Sequence, residues 1–100
     1  MKKIIESGLY YADLKRMTPI LVIHCDYESV IAIPVIKKES KGRNKNTHIK
    51  VKELNRIRPK SYLFLENEII LHINDLKGFI CLLSKEEMRK INSILLNIKK

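Results

Sequence analysis

The chain has no tryptophan, four tyrosines and two phenylalanines, and only three glycines and three prolines in 100 residues. So little glycine and proline excludes collagen-like and low-complexity architectures. Two cysteines, Cys25 and Cys81, lie inside apolar runs with no CxxC or Cys/His spacing around them. They read as two reduced core thiols rather than a disulfide scaffold or a zinc module. The longest uncharged stretch, Met17 to Cys25, falls well short of the ~20 apolar residues that a membrane helix needs. The opening Met-Lys-Lys-Ile-Ile-Glu has the basic start of a secretory signal, but Glu6 arrives before an apolar segment can form. The reading is therefore a cytoplasmic protein with no membrane association, folded as a single domain over residues 1–100.

Positive charge is what the chain has in excess. Its formal net charge is +9, with 20 Lys and Arg against 11 Asp and Glu. Ten of those cations fall in residues 37–60: Lys37, Lys38, Lys41, Arg43, Lys45, Lys50, Lys52, Arg56, Arg58 and Lys60. Only Glu39 and Glu53 oppose them there, so nearly the whole excess sits in this block. Such a block is commonly just a solvated face. Here it coincides with the Ser/Gly/Asn-rich stretch Ser40–Asn46, which points to a basic loop over about 38–46 able to follow a phosphate backbone.

The remaining pattern is one of short strands. Ile4–Leu14 reads as a first strand kinked at Gly8; Thr18–Cys25 and Ser29–Ile36 read as a hairpin turning at Asp26-Tyr27-Glu28. Thr47–Lys52 alternates His48, Lys50 and Lys52 against Ile49 and Val51, the period of a half-exposed strand. Ser61–Glu66, Ile69–Ile73 and Phe79–Leu82 complete the set, with Asn67 and Asn74-Asp75 marking turns. A helix over about 84–98 opens with a Ser84…Glu87 capping box and carries Met88, Ile91, Ile94, Leu95 and Ile98 on one face. Several short strands followed by one amphipathic helix describe a mostly β fold, a small barrel or strongly bent sheet.

Taken in order, these segments resemble the MazF/PemK family of bacterial toxin endoribonucleases. Gly78-Phe79-Ile80-Cys81-Leu82-Leu83-Ser84 is similar to the family's Gly-x-Ile-Gly-x-Leu-Ser lead into its last helix. Ser61-Tyr62-Leu63-Phe64-Leu65-Glu66 resembles its Ser-hydrophobic-hydrophobic-Leu-Leu-Glu strand. Gly8–Leu14, Pro19–Ile23 and Val30–Pro34 resemble its first three strands. The resemblance implies a small antiparallel Src-homology-3-like barrel of the MazF/PemK/CcdB type with a C-terminal helix. It further implies a homodimeric type II toxin that cleaves single-stranded RNA without metal or other cofactor and is restrained by a cognate antitoxin. The departures fall at the family's chemistry. Thr18 stands where members place an Arg before the strand-opening Pro, and Val35, Ile36 and Lys37 stand where a hydroxyl residue follows the third strand's Pro. Lys15-Arg16-Met17 replaces a longer loop between the first two strands.

RNA cleavage without metal uses the substrate's own 2′-hydroxyl and needs proton transfer and a cation for the charge growing on phosphorus. The candidates are Arg16 and Lys37 for phosphate charge, His24 or His48 for proton transfer, and Thr18 as a local hydrogen-bond partner. Lys38, Lys41, Arg43, Lys45, Lys50, Lys52, Arg56 and Arg58 are candidates for nucleic-acid binding. Metal binding by His24, His48, His72 and the cysteines would require a convergence that their spacing does not announce. Among the aromatics, Tyr27 in its turn is the best placed to stack on a base, although packing is the commoner role for each of them. A rival reading keeps the fold and drops the chemistry: an inactive barrel that binds nucleic acid, an antitoxin or a host protein.

Overall fold

The computed structural model describes residues 4–36, 48–57 and 61–98. Along them run β1 (Gly8–Asp13), β2 (Met17–Cys25), β3 (Ser29–Ile36), β4 (His48–Ile49), α1 (Lys52–Ile57), β5 (Tyr62–Phe64) and β6 (Ile69–His72). A 3-10 turn at Ile73–Asp75, β7 (Leu76–Leu82) and α2 (Lys85–Ile98) follow. The seven strands are antiparallel in the order β4-β5-β3-β2-β1-β7, with β6 also on β3.

β3 is the strand that bends the sheet. Its first half, Ser29–Ala32, pairs with β6, while Val35 and Ile36 at its far end pair with β5. Pro34 falls between these two pairings, where that edge asks no ladder hydrogen bond of it. Register shifts in the β1–β7 and β2–β3 ladders add further bend. Among the described residues no ladder joins β7 to β6 or β4, so the expected barrel is curled and open rather than closed.

Both faces of the central strands are buried. Leu9, Leu21, Ile33, Val35 and Leu63 face α1 and α2, meeting Val51, Leu54, Met88, Ile91 and Leu95. Tyr10, Ala12, Ile20, Val22, Val30 and Ala32 pack with Leu76 in a second cluster on the other side. The alternation of the two sets along β1, β2 and β3 explains why these strands read as nearly continuous apolar runs. At the start of α2 the Glu87 N–H donates to the Ser84 hydroxyl at 3.2 Å, the Ser84 half of the expected box. The apolar stripe packs as far as Leu95; Ile98 is 37% exposed.

Two elements differ from the sequence reading. The first strand does not begin at Ile4. Ser7 has φ 75°, the Gly8 N–H donates to the Ile5 carbonyl at 3.1 Å, and the Ile5 N–H donates to the Tyr10 hydroxyl at 3.0 Å. Residues 4–7 therefore fold back, and the strand starts at Gly8. The strand expected over 47–52 is reduced, among its described residues, to His48 and Ile49. Beyond it Val51, Leu54 and Ile57 recur every third residue, a helical spacing, and the Leu54 N–H donates to the Val51 carbonyl at 3.2 Å. Val51 closes the period-two run and opens the helical one, which hid α1.

Candidate functional site

The turn between β1 and β2 presents the first candidate. The Leu14 N–H and the Thr18 hydroxyl both donate to the Arg16 carbonyl, at 3.2 and 3.1 Å. Thr18 therefore acts on the backbone of Arg16, closing a three-residue connection whose Lys15 and Arg16 side chains are exposed. With its carbonyl held twice, Arg16 leaves a fixed point of the fold rather than a long mobile loop.

Strand pairing brings a second group beside that turn. Ile20 pairs with Pro34, and continuing the register two residues sets Thr18 beside Ile36. Ile36 in turn pairs with Tyr62. Val35 and Leu63, their chain neighbours, face α2, so alternation turns Ile36 and Tyr62 to the other face, where Thr18 also lies. The Lys50 ammonium sits over the Tyr62 ring, 5.8 Å from its centroid. Thr18, Ile36 and Tyr62 thus form a row across the end of the sheet that carries Arg16, and Lys50 at its edge stands between the Tyr62 ring and α2. Tyr62 is one of the few aromatics the sequence offers for stacking, but its pairing with Lys50 has no linear signal, because it depends on the β3–β5 and β4–β5 registers.

Other candidates lie elsewhere. His24 is six residues further along β2 from Thr18, about 20 Å of extended chain. There its Nδ1 is 3.1 Å from the Glu6 carboxylate, which also accepts the Cys25 N–H at 3.2 Å. The structure therefore does not bring His24 together with Arg16. Tyr27 is 92% exposed in the β2–β3 turn, beyond His24 and equally remote from Arg16 along the sheet. His72 is part of a local cap: its Nδ1 accepts the Asn74 N–H at 3.1 Å while its own N–H donates to Asp75 at 3.2 Å. His48 enters through its backbone, paired with Phe64. Lys37, Lys38, Lys41, Arg43, Lys45 and Arg58 lie outside the described residues.

In the described part of the basic block, Lys50 reaches Tyr62 and also lines a cleft with Ile49 and the α2 residues Glu87, Lys90, Ser93 and Ile94. Arg56 acts across space on Cys81, which packs against the core under the helices. Burial pushes the Cys81 thiol up, the nearby Glu53 carboxylate adds to this, and Arg56 opposes both. Lys52, at the start of α1, is exposed. Both cysteines are free thiols on opposite sides of the sheet. Among the described residues no helix is long and apolar enough to cross a membrane.

The described strands thus form a curled seven-stranded sheet with α2 packed on one face and the short Arg16 turn at one end. No protein-family model and no curated protein matches the sequence. Solved structures do match in fold. One is the Mycobacterium tuberculosis toxin MazF-mt6, with a TM-score of 0.75 and 17% identity over 90% of this chain and 93% of that one. Another is a mycobacterial endoribonuclease in complex with its cognate antitoxin, with a TM-score of 0.78 and 18% identity over 95% and 93% of the two chains. A further mycobacterial endoribonuclease gives a TM-score of 0.76 and 19% identity over 97% and 91%. The chain has the MazF-like toxin fold expected from the resemblance.

Proposed function

We propose that this chain is the toxin of a type II toxin–antitoxin pair, an endoribonuclease that cleaves single-stranded RNA in the cytoplasm. The observation that carries the reading is the match of fold over at least nine-tenths of both chains to structures that are toxins and endoribonucleases. The net charge of +9 supports a polyanionic substrate and an acidic antitoxin segment.

In this reading the 2′-hydroxyl of the substrate attacks the adjacent phosphorus. The new bond is 2′-O to phosphorus, with the 2′-hydroxyl proton passing to a base; the bond to the 5′-oxygen breaks and that oxygen takes up a proton, leaving a 2′,3′-cyclic phosphate and a 5′-hydroxyl. Arg16 holds the charge that builds on the phosphoryl oxygens, and Thr18 acts through it as a positioning residue. Lys37 supplies a second cation after β3. Of the two histidines considered for proton transfer, His48 is retained and His24 is set aside, because His24 is remote from Arg16 and engaged with Glu6. Lys38, Lys41, Arg43, Lys45, Lys50, Lys52, Arg56 and Arg58 provide phosphate contacts in this proposal. A homodimer is part of it, supported by apolar side chains left open on α2 and β7: Leu96 is 67% exposed and Phe79 52%.

A non-catalytic barrel that binds RNA or protein is the second reading. It is favoured by one observation: Thr18 stands at the family's Arg position with its hydroxyl already committed to a backbone carbonyl. Incubating purified protein with single-stranded RNA in the presence of chelator separates the two. Cleavage to cyclic-phosphate ends supports the nuclease; intact RNA that is nonetheless bound supports the rival.

A further inference from the structure

We infer that Tyr62 and Lys50 form a nucleobase subsite in which the lysine is a displaceable lid over the stacking ring. The inference rests on the single-stranded RNA reading and specifies where a base is held. The Lys50 ammonium lies 5.8 Å from the ring centroid, and Lys50 itself is exposed while Tyr62 is half-buried. A cation–π contact at an exposed site is a weak hold. A nucleotide offers each partner something better: a phosphate for the ammonium and a base face for the ring, an exchange typical of sequence-tolerant strand binding.

Position supports this. Tyr62 is paired with Ile36, which the β2–β3 register sets beside Thr18. The ring is thus two strand spacings, about 10 Å, from the turn that carries Arg16, within reach of neighbouring nucleotides of one strand. Ile36, half-buried and apolar, is the cross-strand neighbour of Tyr62. Tyr27, more exposed at 92%, has no cation over it among the described residues and projects from a turn at the wrong end of β2.

The two residues predict different signatures in binding to a 2′-O-methyl oligonucleotide, which cannot be cut through its 2′ position. Wild-type protein binds an oligonucleotide with one abasic site at the stacking position about tenfold more weakly than the intact one. Tyr62→Ala removes that difference without changing the salt slope, and Tyr62→Phe keeps it. Lys50→Ala keeps the base dependence and lowers the slope of log affinity against log salt by about 0.7. Equal wild-type binding to every abasic position overturns the inference without needing any variant to fold. So does a Tyr62→Ala protein that still discriminates. With unmodified single-stranded RNA run in parallel, cleavage of that RNA without base-dependent binding overturns the subsite alone; base-dependent binding with the unmodified RNA left intact overturns the nuclease reading and leaves the subsite standing.

Discussion

The imidazole of His24 is paired with the Glu6 carboxylate at 3.1 Å, and the same carboxylate accepts the Cys25 N–H. One of the two histidines considered for proton transfer is therefore tied to the N-terminal segment, at the other end of β2 from Arg16. His24→Ala is expected to leave RNA cleavage within twofold of wild type. Because both side chains are more than half exposed, it should cost no more than about 1 kcal/mol of stability. A loss of cleavage without unfolding would return His24 to the chemistry.

Arg16 and Thr18 should fail differently. Arg16→Ala is expected to lower cleavage about 100-fold, the scale of losing one group that stabilises transition-state charge. Arg16→Lys should recover part of it, limited by the loss of the forked guanidinium. Thr18→Val removes the hydroxyl donated to the Arg16 carbonyl, so kcat should fall while Thr18→Ser retains it. The stability cost should stay near 1 kcal/mol. Equal activity of the Val and Ser variants would leave Thr18 with no positioning role.

Gly8 is predicted to be intolerant of a side chain. A Cβ there would lie 2.9 Å from the Ile5 carbonyl oxygen and 2.8 Å from the Tyr10 ring. The ring cannot yield easily, since its hydroxyl accepts the Ile5 N–H and its edge packs on Phe79 at 5.3 Å between centroids. Gly8→Ala should destabilise the fold by about 1–3 kcal/mol in denaturant titration. A variant as stable as wild type would mean that residues 4–7 do not fold back as described.

Cys81 gives a pH signature. Burial is the largest cause holding its proton above the ordinary thiol value of 9.0, so the folded state binds a proton that the unfolded chain releases. Its contribution to stability is complete below that value and is lost as pH rises through the raised one. Unfolding titrations should show wild type losing more stability than Cys81→Ser above pH 9.0. Identical pH dependence would refute the shift.

The strands were legible where both faces of the sheet are buried, because Pro19–Ile23 and Val30–Val35 then carry apolar residues without interruption. α1 was not, because Val51 serves two periodicities at once. The candidate site was legible by residue type and partly by place. Arg16 and Thr18 are sequence neighbours and remain together, while His24 looked equally available until the strand direction separated it from them. Tyr62 and Lys50 come together through pairing between β4, β5 and β3, information that no local pattern contains.

The most direct test is to incubate the purified protein with single-stranded RNA in chelator and to identify the ends of any fragments, beside Arg16→Ala prepared identically. The account predicts fragments with 2′,3′-cyclic phosphate and 5′-hydroxyl ends from the wild type, and about 100-fold slower cleavage from the variant. Intact RNA under conditions where the protein is folded and binds it, or equal cleavage by Arg16→Ala, would contradict the account.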